Sequence, residues 1–282
     1  MASDKAAGGG GGAKPDLATI GGLLMAVGGI VGGLLMEGGK VQDVAQVSAG
    51  LIVLTGTIGA VMVTTPMDIL LRAFGRLPSI FFPKSEPTAH VMEQVITFAT
   101  KARKQGIVSL EQDAATVADP FLRKALNLAV DGIELSQIRK MLELEITMLE
   151  HSGEAEAKVF EAAGGYAPTI GIIGAVLGLI QVMKNLANIE EVGRGIAVAF
   201  VATVYGVGLA NIVFLPAASK LRSRIQEKVH AKEMMLEGVL SIVEGLNPKL
   251  IRLQLEAYHH SQKEAPAKSA GAGAAKPVTA EG

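Results

Sequence analysis

The sequence predicts an all-α integral membrane protein, with four transmembrane helices arranged two plus two around a large cytoplasmic helical segment. Three observations predict it. The chain is 49% hydrophobic with a mean hydropathy of +0.39, more apolar than a soluble domain. Four apolar runs of helical length lie at 17–36, 47–65, 166–183 and 196–217, none containing Asp, Glu, Lys, Arg or His. A polar stretch of about a hundred residues separates the second run from the third.

Residues 1–16 are rich in Gly and Ala, with a run at Gly8–Gly12, and are expected to form a disordered cytoplasmic tail. Leu17–Met36 is the first span. A cleaved signal peptide is the competing reading, but the run is long and no small-x-small site ends it. Gly28, Gly29, Gly32 and Gly33 form two overlapping GxxxG pairs, a surface for close helix approach. A short polar turn at 37–46 leads to the second span, 47–65. There Thr55 and Thr57 can bond carbonyls of their own helix. Pro66 ends it by disfavouring helix at Thr65.

The cytoplasmic helical region, 66–165, opens with Pro78, Pro83 and Pro87. Apolar residues then repeat at three and four: Val91, Val95, Ile96 and Ala99, and later Leu122, Leu126 and Ala129. Gly106 reads as a helix end, Ser109 with Gln112 as a capping box, and Asp119-Pro120 as an N-cap followed by proline at the first helical position. A long helix is expected from Glu134 to Ala163, with Leu135, Ile138, Leu142 and Leu149 on one side. Gly164-Gly165 reads as a hinge into the third span.

In the third span, Pro168, Gly171, Ala175, Gly178 and Val182 share one face, a small-residue stripe that admits a close neighbour. In the fourth, Ala199, Thr203, Gly206, Ala210 and Ala217 share another, and Pro216 lies near its end. Residues 218–262 are expected to form cytoplasmic C-terminal helices, starting with Lys220, Arg222, Arg224, Lys228 and Lys232; a loose tail follows at 263–282. Those five basic residues, with Arg72, Arg76 and Lys84, flank the inner ends of the spans. The positive-inside rule therefore places both termini and the middle region in the cytoplasm.

Net charge is −1, which offers no basic field for nucleic acid. Cysteine is absent, which excludes thiolate metal sites, disulfides and cysteine nucleophiles; tryptophan is absent too. No phosphate loop, nucleophile elbow, zinc-protease motif or dinucleotide fingerprint occurs in its required context. His90, His151, His230, His259 and His260 have no ligand spacing. No catalytic, cofactor or metal site is expected, so the chain does not read as an enzyme.

An ion pathway usually announces itself by acids or bases inside the membrane, because they are costly to keep there. Here the spans have none. Either the protein moves nothing and only anchors its cytoplasmic part, or a partner supplies the titratable group. The one compact charged element is a corner with Lys101, Arg103 and Lys104 on one side of Gly106 and Glu111 and Asp113 on the other. It reads as a solvated turn or as a protein-docking patch.

The two-plus-two layout resembles the MotA/PomA family of flagellar stator proteins, and more distantly the ExbB and TolQ proteins. Ala102-Arg-Lys-Gln-Gly-Ile-Val-Ser-Leu-Glu111 is similar to the family's cytoplasmic motif. Ala167-Pro168, Thr203-Val-Tyr-Gly206 and Asn211-Ile-Val-Phe-Leu-Pro216 resemble its membrane segments, and the likeness runs from about Leu17 to Tyr258. The resemblance implies a flagellar motor stator subunit of the bacterial cytoplasmic (inner) membrane. It implies a ring of five copies around a MotB-like single-span partner that carries a membrane Asp. It also implies that Arg103, Lys104 and Glu111 act on the rotor protein FliG. Pro168 and Pro216 would couple moving helices, and Thr203 would offer a hydroxyl beside the ion path. The stripe through Gly171, Ala175 and Gly178 would be the bearing surface for the partner's acid. Sodium-type relatives have a Thr where this chain has Ala175, which cannot ligate a cation, so protons are the expected ion. The alternatives are an ExbB/TolQ-like energiser of an outer-membrane system, a non-conducting membrane scaffold, and a solute transporter.

Overall fold

A computed structural model of the chain describes residues 15–82 and 88–257. The glycine run of the N-terminal tail, Pro83, Lys84, Pro87, His259, His260 and the tail at 263–282 lie outside them. All regular structure among the described residues is helical: α1 (Leu17–Met36), α2 (Val41–Val44), α3 (Val47–Thr64), α4 (Met67–Phe81), α5 (Thr88–Gln105), a 3-10 turn (Ile107–Leu110), α6 (Glu111–Thr116), α7 (Pro120–Val130), α8 (Leu135–Lys184), α9 (Ile189–Gly208), a π-helical segment (Leu209–Phe214) and α10 (Leu215–Val243). Residues 248–257 form a last helix, α11. Four helical runs are long and apolar enough to cross a membrane: α1, α3, α8, and the continuous 189–243 run. The chain divides into two compact units, 1–84 with 151–224, and 85–150 with 225–282.

The first unit contains the apolar helices. α1 has the predicted limits, and none of its residues is buried within the chain. Asp16, which composition assigned to the tail, is the N-cap of α1: its Oδ1 accepts from Thr19 N at 3.2 Å. The polar turn after α1 holds the short α2, at whose start Lys40 N donates to Asp43 Oδ2 at 2.8 Å. α3 stops as expected, with Thr65 extended (φ −130°, ψ 130°) before Pro66. Thr55 bonds its own helix as predicted, donating to Leu51 O at 2.7 Å. Thr57 does not; it is buried, and among the described residues its hydroxyl has no hydrogen-bond partner.

Pro78 does not break the chain, because α4 carries it near its C-terminal end. α4 buries Leu70, Ala73 and Ile80, sets Phe74 edge-on to Phe160 (6.1 Å, 74°), and brings Arg76 Nε within 3.0 Å of the buried Glu156 Oε2 on α8. The expected hinge at Gly164-Gly165 is absent, since α8 runs unbroken for 50 residues. Gly164 serves close packing instead: a Cβ there would lie 2.6 Å from Leu215 Cδ2. Helix neighbours hold a glycine pair helical that would be flexible in isolation.

The second unit has its own core, built around Leu110, Phe121, Leu122, Leu126, Ile138, Leu142, Met234, Leu240, Ile251 and Leu255. The predicted repeats supply it. Val91, Val95, Ala99 and Ala129 are buried too, while Leu135 and Leu149 pack against its edge and Ile96 is half-buried. Asp119 caps α7 as expected, accepting from Phe121 N and Leu122 N at 2.8 and 2.9 Å. The Ser109 capping box is not formed. Ser109 Oγ donates back to Gly106 O at 2.6 Å inside the 3-10 turn, and α6 starts at Glu111 with no side-chain cap. Lys124 and Lys232 both bond Glu145, at 2.9 and 3.1 Å, with the Lys232 ammonium 4.2 Å from the centre of the Phe121 ring. Partial burial works to raise the Glu145 carboxyl, but the two ammonium groups outweigh it and hold it below the usual range.

The basic residues after the fourth span carry the orientation signal, yet they are engaged internally. Lys220 and Arg224 hold Asp16, Arg222 holds Glu154 and Glu161, and Lys232 holds Glu145. The hydrogen bond from Arg222 keeps the Glu154 carboxyl below its ordinary range.

Candidate functional site

Two places answer to the residues singled out above: the seam between α8 and α9 in the first unit, and the charged corner in the second.

Small residues make the seam. A Cβ on Gly206 would lie 2.5 Å from Ala167 O, and one on Gly171 would lie 2.8 Å from Ala202 O. A Cβ on Gly178 would lie 2.8 Å from both Ala199 N and Gly195 O. Backbone meets backbone at each level, the close approach that small residues permit. The two predicted stripes therefore pack on each other. This corrects the expectation that the α8 stripe is a bearing surface for another protein, because Gly171 and Gly178 are buried against α9. The face α8 leaves open carries Ile172, Ile173, Val176 and Ile180, between 45% and 56% exposed.

Pro168 and Ala175 are half-buried on α8. Pro168 lies well inside the 50-residue helix, so its missing N–H leaves the Gly164 carbonyl without its usual donor. Thr203 is half-buried on α9 and donates its hydroxyl to Ala199 O at 3.2 Å, which leaves its oxygen able to accept. Pro216 is exposed in the first turn of α10, directly after the π-helical segment. A proline at that position withholds one helical N–H and crowds the preceding turn, and a widened turn accommodates it. Asn211, inside the widened turn, donates its side-chain amide to Val207 O at 2.9 Å. The hydropathy pattern had no means to reveal this segment, since a π turn keeps the same apolar residues. Tyr205 was also missed as a tie: its hydroxyl donates to Val44 O, fastening α9 to the C-terminal end of α2.

The corner is built by Gly106. Its φ of +83° ends α5, its N–H donates to Ala102 O at 2.8 Å, and that backbone region is open to glycine alone. Leu110, fully buried, pins the 3-10 turn into the core. Lys101 and Asp113 close the corner with a 2.7 Å ion pair. Arg103, Lys104 and Glu111 remain exposed, and among the described residues none of them has an ion-pair partner. The arrangement holds one pair for itself and presents two bases and an acid to solvent.

Residues 20–106 match the family model described as motility protein A N-terminal, and residues 113–234 match that of the MotA/TolQ/ExbB proton channel family. The chain is 34% identical over 248 residues to motility protein A of Bacillus subtilis (strain 168), covering 86% of this chain and 90% of that one. The chain belongs to the motility protein A family. Its fold agrees with solved members. The structure of C. jejuni MotAB aligns with a TM-score of 0.83 at 32% identity, over 86% of this chain and 95% of that one. The flagellar MotAB stator complex from Bacillus subtilis aligns at 0.79 and 33%, again over 86% and 95%. The resemblance read from the sequence is thereby established, with the N-terminal model favouring the motility branch over ExbB and TolQ. The chain is a multi-pass membrane protein and a flagellar motor stator subunit, coupling ion flow across the membrane to torque.

Proposed function

We propose that this chain works with a MotB-like partner whose single span brings an Asp into the ring, and that five copies of the chain surround that partner. The observation that carries the reading is the absence of any ionisable residue in the four spans. A stator must bind and release an ion within the membrane, so the titrating group has to come from outside this chain. The exposed apolar faces of α8 and α9 are suitable walls for such a partner. The partner's Asp→Asn variant should still co-purify with this chain while swimming stops; continued swimming would overturn the reading.

The ion is the proton. Ala175 offers no oxygen with which to ligate a cation. Cells that depend on this stator should swim at undiminished speed in sodium-free medium. Speed proportional to external sodium would reverse the assignment.

Arg103, Lys104 and Glu111 are the contacts with the rotor protein FliG; their charges are exposed and have no ion-pair partner among the described residues, which supports that role. Both termini and the charged corner lie on the cytoplasmic side of the inner membrane. The chain performs no catalysis itself.

Pro168 and Pro216 keep their helices adaptable where they follow the partner. Pro168→Ala would supply the N–H that the Gly164 carbonyl lacks and favour the helix by up to about 3 kcal/mol. The variant should therefore reach the membrane at the wild-type level and still lose most of its rotation, as read by immunoblot and tethered-cell speed. Loss of the folded protein instead would make Pro168 structural.

A further inference from the structure

Among the described residues, α1 is the one long helix with no residue buried in it. A Cβ added at Gly21, Gly22, Gly28, Gly29, Gly32 or Gly33 would meet nothing within 4 Å. Apolar surface of this kind has no preferred rotation or depth of its own, because lipid tails and apolar neighbours satisfy it equally. A specific tie has to set both.

Such a tie exists immediately before the helix. Besides the helical bond its carbonyl accepts from Ile20 N, Asp16 makes four polar contacts. Its N–H donates to Phe81 O, at the end of α4, at 2.8 Å. Its Oδ1 accepts from Thr19 N at 3.2 Å. Its Oδ2 receives Lys220 Nζ and Arg224 Nη2, each at 2.7 Å. The carboxylate is only 11% exposed, and the two cations stand one turn apart on α10, the helix that continues the fourth span. One residue thus joins the start of α1, the end of α4 (through its backbone N–H) and the extension of the fourth span (through its carboxylate).

We infer that Asp16 is a positioning residue for torque generation: it locks the register of the first span to the helix that extends the fourth. The inference rests on the stator reading above. When ion binding displaces the fourth span, the clasp makes α1 move with it rather than slip. A carboxylate between two partly buried cations is hard to replace, since a neutral group leaves them unpaired. The clasp is a fastener and not a pH switch. The hydrogen bond from Lys220, helped by Thr19 and the charge of Arg224, outweighs partial desolvation and holds the carboxyl at about 2. A lowered carboxylate contributes fully above its ordinary value near 4 and is lost only as pH falls through about 2. The cytoplasm never reaches that window.

The test uses the full chain with its partner in cells lacking any other stator. Asp16→Asn keeps an oxygen to cap Thr19 but removes the charge, whereas Asp16→Glu keeps the charge. The double variant Lys220→Gln/Arg224→Gln empties the other side of the clasp and leaves the cap intact. Torque of a bead-loaded flagellum is read against the amount of complex co-purified with the partner. Because the chain has no cysteine, single cysteines placed along α1 report its register by thiol labelling. Asp16→Asn and the double variant should assemble, shift the labelling pattern along α1, and lower torque per complex by at least about twofold, with Asp16→Glu restoring most of it. Unchanged torque and labelling in Asp16→Asn would reduce Asp16 to a helix cap and overturn the inference. If Asp16→Asn fails to assemble, the double variant decides: full torque from it, or failure to assemble in its turn, also overturns the inference. Failure of the wild-type chain to drive rotation at all would instead overturn the stator reading.

Discussion

Gly206→Val is expected to abolish motility by separating α8 from α9. The first carbon of the new side chain would stand 2.5 Å from Ala167 O, 3.0 Å from Gly171 Cα and 3.3 Å from Ala167 C. All three are backbone atoms of α8, so no rotamer change relieves the clash, and the helices must part. Overpacking of this kind costs about 1–3 kcal/mol even where side chains can adjust. In a membrane the loss matters more, because van der Waals packing drives helix association and lipid replaces no hydrophobic force. Widening at Gly206 would also loosen the contacts of Gly171 with Ala202 and of Gly178 with Gly195 and Ala199. The measurements are the amount and melting temperature of the detergent-extracted complex, together with swimming. Gly208→Ala is the control two residues further on, where a Cβ meets nothing within 4 Å. Wild-type stability and swimming in Gly206→Val would show that the seam is not closely packed in the working protein.

Reversing Arg103 and Glu111 together should impair torque severely without touching assembly. Both are exposed and neither holds another part of the chain, so the fold loses no more than about 0.5 kcal/mol. Against an unmodified rotor, opposite charges become like charges, a change worth several kcal/mol at a docking surface. Torque in tethered cells should fall roughly tenfold, while the partner co-purifies at the wild-type level. Normal swimming with the unmodified rotor would remove this corner from the torque path. The ion pair of Lys101 with Asp113 marks which charges to leave alone, because it shapes the corner rather than facing outward.

The corner was readable because its determinants are local. Gly106 supplies a backbone conformation that other residues avoid, and the bases and acids lie within a few residues on either side. The unmade capping box shows the limit of local reading. Ser109 had two acceptable uses for its hydroxyl, and burial of Leu110 selected the 3-10 turn that left it facing Gly106 O. Likewise Gly164-Gly165 resembles a hinge by propensity, yet the Leu215 side chain packed on Gly164 holds the helix straight through. Asp16 looked like the end of a tail because its partners, Lys220 and Arg224, are some two hundred residues away in sequence.

By itself the sequence determined the four spans, their order, their lack of titratable groups and the charged corner. Those properties follow from what each residue type can tolerate in lipid or in a turn, whatever its distant neighbours do. Tertiary structure alone decided what the small stripes touch, where the fourth span widens into a π turn, and which charges are spent inside the molecule. A stripe of glycines says only that something may come close. That the neighbour is the chain's own α9, and that the face left open on α8 is the branched apolar one, depends on how the helices rotate as they pack.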